Sequence, residues 1–152
     1  MNEFMKLAIE TAREGIKAGD GGPFGTCIVK DGKVIACDHN HVLANNDPTA
    51  HGECYTIRQA GQALGTFDLS GCDLYTTGEP CTMCLCACLW ANIRHVYYGC
   101  TIADNALIGF RDEKFDNMFG REKVPEGFLS ELDRDACLEL FEEYRKMDAE
   151  KY

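Results

Sequence analysis

Two short stretches of this chain carry residues whose types and spacing could do chemistry together: His51-Gly52-Glu53 and, further on, Pro80-Cys81-Thr82-Met83-Cys84. They supply an imidazole, two thiols one helical turn apart, and a carboxylate two residues from the imidazole. Three such ligands, His51, Cys81 and Cys84, leave a tetrahedral zinc ion with one position open for water. That is the arrangement of a catalytic zinc site rather than a structural one. Zinc lowers the pKa of its bound water to about 7, and a carboxylate nearby can take the proton. The expected reaction is hydrolytic deamination: the hydroxide attacks the amidine carbon of a purine or pyrimidine ring. Glu53 then returns protons to the ring nitrogen and the departing amine, acting as base and acid in turn.

A lone Cys-x-x-Cys also fits a redox pair or half of a structural zinc site. A redox pair does not need Pro80, His51 and Glu53 around it, and a zinc ribbon needs a second matching pair. Cys86 and Cys88 do not provide one, because they lie two apart and alternate around the helix.

The elements that must position these residues are legible in outline. Phe4, Leu7, Ala8 and the Thr11/Ala12 pair recur at helical spacing over 2–18. The glycine-rich stretch Gly19 to Gly25 ends that helix and opens a strand, Thr26–Lys30. Asp31-Gly32 reads as a tight hairpin turn into a return strand, Lys33–His39. A polar loop, Ala44–Thr49, leads to a helix from about His51 to Leu64. A strand near Cys72–Thr76, a helix from Cys81 to about Ala91 and a strand at His95–Gly99 follow. Two further helices are expected near Arg111–Phe119 and Leu129–Lys146. Strands alternating with helices after an opening hairpin predict an α/β sandwich with a mixed sheet. Both ligand groups sit at predicted helix starts, where free N–H groups and the helix dipole favour thiolates.

The chain has 152 residues, 45% of them hydrophobic, which suits one domain with a substantial core. It has 25 acidic against 15 basic residues, a net charge of −10, and no Lys/Arg cluster. A nucleic-acid binder needs cations to neutralise phosphates, so a small-molecule substrate is expected and nucleic acid is not. No apolar run approaches a membrane span and no basic-then-apolar leader follows Met1, so the expected compartment is the cytoplasm, with no membrane partner. Of the ten cysteines, Cys27, Cys37, Cys54, Cys72, Cys100 and Cys137 lie in apolar or strand-like contexts and are expected as reduced, buried thiols.

At these residues the chain resembles the cytidine deaminase superfamily, and within it the bacterial guanine deaminase branch. The resemblance runs from Gly21-Gly22-Pro23-Phe24-Gly25 through Asn46-Asp47-Pro48-Thr49-Ala50-His51 and Glu79-Pro80-Cys81 to Gly109-Phe110, and includes the ending Glu150-Lys151-Tyr152. It implies a three-layer α/β/α fold, one catalytic zinc per subunit, and a homodimer. In such dimers a C-terminal segment, here about 126–152, is exchanged and closes the partner's site. It also implies that Asn40 holds the base by its amide, that Phe24 and Trp90 flank the ring, and that Asp112 contacts the ring's polar edge. The Gly52 N–H would meet a ring carbonyl, and Tyr152 would reach the base from the other subunit.

The chain departs from the family at Gly52, where alanine is usual; fungal cytosine deaminases are similar in carrying glycine there. It departs again at Leu85-Cys86-Ala87-Cys88, where the guanine branch usually has a glycine and alanine. The leading expectation is therefore deamination of guanine to xanthine and ammonia. Cytosine, a guanosine-like nucleoside and an aminated triazine stay open as substrates. Deamination of tRNA adenosine and a non-catalytic zinc or redox module are the readings from other classes.

Overall fold

The computed structural model describes residues 1–119 and 126–148. Helix α1 spans Glu3–Ala18, and the side chain of Asn2 accepts from the N–H groups of Phe4 and Met5 to cap its start. Its buried stripe, Met5, Ala8, Ile9, Ala12 and Ile16, recurs at helical spacing. Strands β1 (Gly25–Lys30) and β2 (Lys33–His39) form the hairpin, turned at Asp31 and Gly32 with φ of 50° and 72°. Two successive positive φ angles match the right-handed twist of the strands, hence an aspartate and a glycine there.

After a short helix α2 (Val42–Asn45) come α3 (Gly52–Leu64), β3 (Cys72–Gly78), α4 (Thr82–Trp90) and β4 (His95–Cys100). The chain continues through α5 (Ile102–Leu107), α6 (Asp112–Phe119), β5 (Leu129–Glu131) and α7 (Arg134–Arg145). The sheet order is β2-β1-β3-β4-β5. The first two pairings are antiparallel, and β3–β4 and β4–β5 are parallel. The mixed sheet is thus split into a hairpin half and a crossover half.

Alternation along the strands feeds two separate cores. On one face α1 and α7 bury Ala8, Ala12, Leu140, Phe141 and Tyr144 against Cys27, Val29 and Tyr75. On the other, Ala60 of α3 and Cys88 of α4 pack with Ile28, Leu74 and Val96. This is the expected three-layer α/β/α sandwich. All ten cysteines are free thiols. Among the described residues no helix is long and apolar enough to cross a membrane.

The expected helix over Leu129–Lys146 is corrected in its first turn. Leu129–Glu131 is a strand, with Val96 N–H donating to the Phe128 carbonyl at 3.0 Å and Leu132 N–H to that of Tyr98 at 2.7 Å. Three residues carry too little alternation to be read as a strand. The helix begins only after Asp133, whose φ of 51° breaks the backbone and whose carboxylate accepts from Asn2 N–H at 2.8 Å. Strand β5 thus extends the sheet beside β4, and α7 packs on β4. Helix α5 was not anticipated; Thr101 and Asp104 cap it reciprocally.

Helix α7 lies so close on β4 that a Cβ at Gly99 would sit 2.1 Å from Cys137 Sγ and 2.8 Å from the Thr77 carbonyl oxygen. Gly99→Ala should cost about 1–3 kcal/mol, as overpacking does. A urea midpoint equal to that of the parent chain would show that α7 is not seated this closely.

Candidate active site

Two helix starts converge here. His51 is the N-cap of α3 and Cys81 the N-cap of α4, both with extended backbone, and neither side chain caps its own helix. Both are thereby free to face a common point, and Cys84 joins them from the first turn of α4, fully buried. The donor atoms of His51, Cys81 and Cys84 all lie within 4.8 Å of one another. His51 Nδ1 stands 3.6 Å from Cys81 Sγ. Tetrahedral zinc, with Zn–S about 2.3 Å and Zn–N about 2.0 Å, puts sulfur and nitrogen about 3.5 Å apart. The donor set fits the ion.

Its electrostatics fit as well. The Cys84 thiol and the His51 ring hold Cys81 down at about 4, against the opposing effect of burial. Burial works to lower His51, but the adjacent Cys81 holds it up at about 9. The Cys81 thiolate favours a cation beside it, and a divalent ion can take the place of the imidazole proton. Glu53 is 5% exposed. Burial, reinforced by the negative charge of Cys81, pushes its carboxyl up to about 7.

A recess of about 20 Å³ lies against these groups, lined by Phe24, Asn40, Glu53, Glu79, Asn105 and Asp112 besides His51, Cys81 and Phe110. It opens, across the shared residues His51, Cys81, Phe110 and Asp112, on a cavity of about 530 Å³ with walls that include Val42, Pro48, Met83 and Phe115.

Asn40 is 1% exposed; its Oδ1 accepts from Val42 N–H at 3.0 Å, and its Nδ2 is left without a partner. Gly21 makes room for it, since a Cβ there would lie 2.1 Å from Asn40 Oδ1. Phe24 packs edge-on against Phe110, with ring centroids 4.8 Å apart. Its loop is pinned to β3, because Thr77 Oγ1 donates to the Pro23 carbonyl and accepts from Gly25 N–H. Asp112 accepts from Asn105 Nδ2 at 2.9 Å, and burial raises its carboxyl. Gly52 is buried at the start of α3, where a Cβ would lie 2.7 Å from the Phe24 carbonyl oxygen. Glycine there lets the Phe24 loop approach α3 closely.

Trp90 is not brought to this point. It ends α4, about 13 Å along the axis from Cys81 at 1.5 Å per residue, and is 86% exposed. It lines a different depression with Phe67, Leu89 and Asn92. Tyr152 lies outside the described residues. Two residues lie closer to the site than their sequence positions suggested: Cys54, expected only as a buried thiol, and Asn105. Cys54, whose Sγ is 3.8 Å from that of Cys84, follows His51 by three on the same helix, a spacing that puts both on one face. It does not belong to the set of mutually close donors. Asn105 lies on the unanticipated α5, and nothing in its sequence context marks it.

Residues 1–100 match the family described as the cytidine and deoxycytidylate deaminase zinc-binding region, and the chain belongs to that family. It is a zinc-dependent deaminase. It is 50% identical over 109 residues to the guanine deaminase of Bacillus subtilis, a match covering 72% of this chain and 70% of that protein. It is 49% identical over 96 residues to a tRNA-specific adenosine deaminase of Agrobacterium fabrum, covering 63% of this chain and 62% of that one. The crystal structure of the Bacillus subtilis guanine deaminase superposes with a TM-score of 0.75 at 40% identity, over 100% of this chain and 99% of that one.

Metal analysis of the purified protein should find about one zinc per chain. Cys84→Ser should lower it to below about a tenth, because two of three protein ligands rarely hold the ion. Cys54→Ser should leave it unchanged. Zinc lost equally from both variants would assign Cys54 to the metal.

Proposed function

We propose that this chain hydrolyses the exocyclic amine of a free nucleobase, converting guanine to xanthine and ammonia. The observation that carries the reading is the bare amide Nδ2 of Asn40, 1% exposed and lining the same recess as Glu53. A buried donor without a partner is costly, and a ring nitrogen or carbonyl of a base supplies the acceptor. The recess alone is too small for a purine, so the reacting edge enters it beside Phe24 and the rest of the ring lies in the outer cavity against Phe110.

His51, Cys81 and Cys84 would hold the zinc, which when bound supplies a water activated near neutral pH. Glu53, raised to about 7 by burial, is placed to take the proton from that water. It passes the proton to the ring nitrogen of the amidine. Once the hydroxyl has added to the ring carbon, Glu53 takes its remaining proton and delivers it to the amine, so that the C–N bond breaks, a ring carbonyl forms and ammonia leaves. Asn40 holds the ring in register by donating to it, and Asp112 stands at the edge shared by recess and cavity.

The similarity to the Bacillus subtilis guanine deaminase supports guanine as the base. The similarity to the Agrobacterium fabrum enzyme keeps a tRNA adenosine as the second reading. Against it, Arg111 is the one guanidinium or ammonium among the described residues lining either space, and the outer wall is largely apolar. Binding an RNA backbone needs several such cations. The net charge of −10 works in the same direction.

Ammonia release from the zinc-loaded enzyme should be strong with guanine and weak with cytosine, adenine, guanosine, cytidine, ammeline and a tRNA anticodon stem-loop. Strong release from the stem-loop alone would replace guanine by the RNA reading. Glu53→Gln should lower kcat by about 10³-fold while zinc stays bound, since a glutamine carries no transferable proton. Turnover within about 10-fold of the parent would remove Glu53 from the mechanism.

A further inference from the structure

A second buried amide lines the recess with an unpartnered atom, and its polarity is opposite to that of Asn40. Asn105, 1% exposed on α5, donates its Nδ2 to Asp112 Oδ2 at 2.9 Å. A carboxylate accepts, so this contact orients the amide and leaves Oδ1 as its unused acceptor. That Oδ1 is buried and has no partner among the described residues. Only Asn40 Nδ2 shares this condition among the described side chains, and both residues line the recess that holds Glu53. The recess is therefore lined by one amide with a bare N–H donor and one with a bare carbonyl acceptor.

The backbone around Asn105 accommodates this arrangement. Gly78, the last residue of β3, lies beside it, and a Cβ there would come within 3.2 Å of Asn105 Oδ1 and 3.1 Å of the Phe24 ring. A side chain at that position would press on both the amide and the aromatic wall. Thr101 and Asp104 cap the start of α5, Arg134 pairs with Asp104 at 2.6 Å, and Glu79 Oε2 accepts from Ile102 N–H at 2.9 Å. The helix carrying Asn105 is thus tied to the loop that carries Cys81.

Resting on the guanine reading above, we propose that Asn105 Oδ1 accepts a ring N–H of the bound base and so determines which substituted purines are admitted. Asn40 selects for an acceptor on the ring edge and Asn105 for a donor. A ring nitrogen carrying carbon in place of hydrogen offers Asn105 nothing and meets its oxygen head-on. Sites built around a substrate N–H reject the analogue lacking it far more strongly than apolar pockets reject an added methyl. The amide reads the ground state and the transition state alike, so its loss should appear in KM rather than kcat.

The experiment measures kcat and KM of the zinc-loaded parent, Asn105→Ala and Asn105→Leu on guanine and on 1-methyl-, 7-methyl- and 9-methylguanine. Leucine keeps the volume of the amide in case alanine loosens α5. Zinc content and melting temperature establish which variants are folded. The parent should reject at least one N-methylguanine by about 100-fold or more in kcat/KM relative to guanine. In the folded variants this discrimination should fall to about 10-fold or less. The KM for guanine should rise about 10-fold with kcat within about 3-fold of the parent. Folded variants that keep the parent's discrimination against every methylguanine would overturn the role of Asn105 and leave the guanine reading intact. A parent enzyme inactive on guanine would instead overturn the guanine reading, and the inference with it.

Discussion

Everything in this structure depends on bringing an imidazole and two thiols into contact at the starts of two helices. Ionised donors this close and this buried repel one another unless a cation stands between them. The fold eases the assembly by aiming the positive ends of α3 and α4 at the cluster, so the backbone supplies part of the compensating field. Parallel pairing of β3 with β4 fixes where α4 begins, because the crossover helix must start just beyond the C-terminal end of β3. Glu79, between β3 and Cys81, donates its N–H to the Cys100 carbonyl and accepts from Ile102 N–H. Thr82 donates to Asp116 on α6 at 3.0 Å. The loop bearing the first thiol is thereby held from both sides.

The opposite wall of the recess is held by a different kind of interaction. Asn40 is flanked by His39 and His41, and alternation along an extended chain sends both histidines one way and the amide the other. The two imidazoles stack at 4.2 Å, and His41 stacks in turn on Tyr55 of α3. His39 meets Asp20 at 2.9 Å and His41 meets Asp38 at 2.8 Å. Gly15 of α1 admits the His39 ring, where a Cβ would lie 2.3 Å away. The position of one asparagine side chain is therefore set by contacts to α1, α3 and the loop after α1. The proposed contact of this bare amide nitrogen with the base rests on that rigidity.

What the sequence revealed, and what it hid, divides by the range of the interaction. The metal donors, the α1 stripe, the Asp31-Gly32 turn and the starts of α3 and α4 are local patterns of type and spacing, and all were legible. The three-residue strand β5 was hidden because its existence depends on the exposed edge of β4, not on its own residues. Trp90 was misplaced because α4 is apolar on every side, so its sequence carries no face to assign. The nearness of Cys54 and Asn105 to the site was hidden for a different reason, since it is set by tertiary packing. A buried thiol on an amphipathic helix and an asparagine in a short capped helix are ordinary residues until tertiary packing sets them beside Cys84 and Asp112.

The central claim is that the metal is held by one nitrogen and two sulfurs with a position left open next to Glu53. Zinc K-edge X-ray absorption on the purified enzyme tests it most directly. The account predicts two sulfur neighbours at about 2.3 Å and two lighter neighbours at about 2.0–2.1 Å, one of them His51 and the other solvent. A third or fourth sulfur, drawn from Cys54 of α3 or from Cys86 or Cys88 of α4, would describe a closed structural site and contradict it.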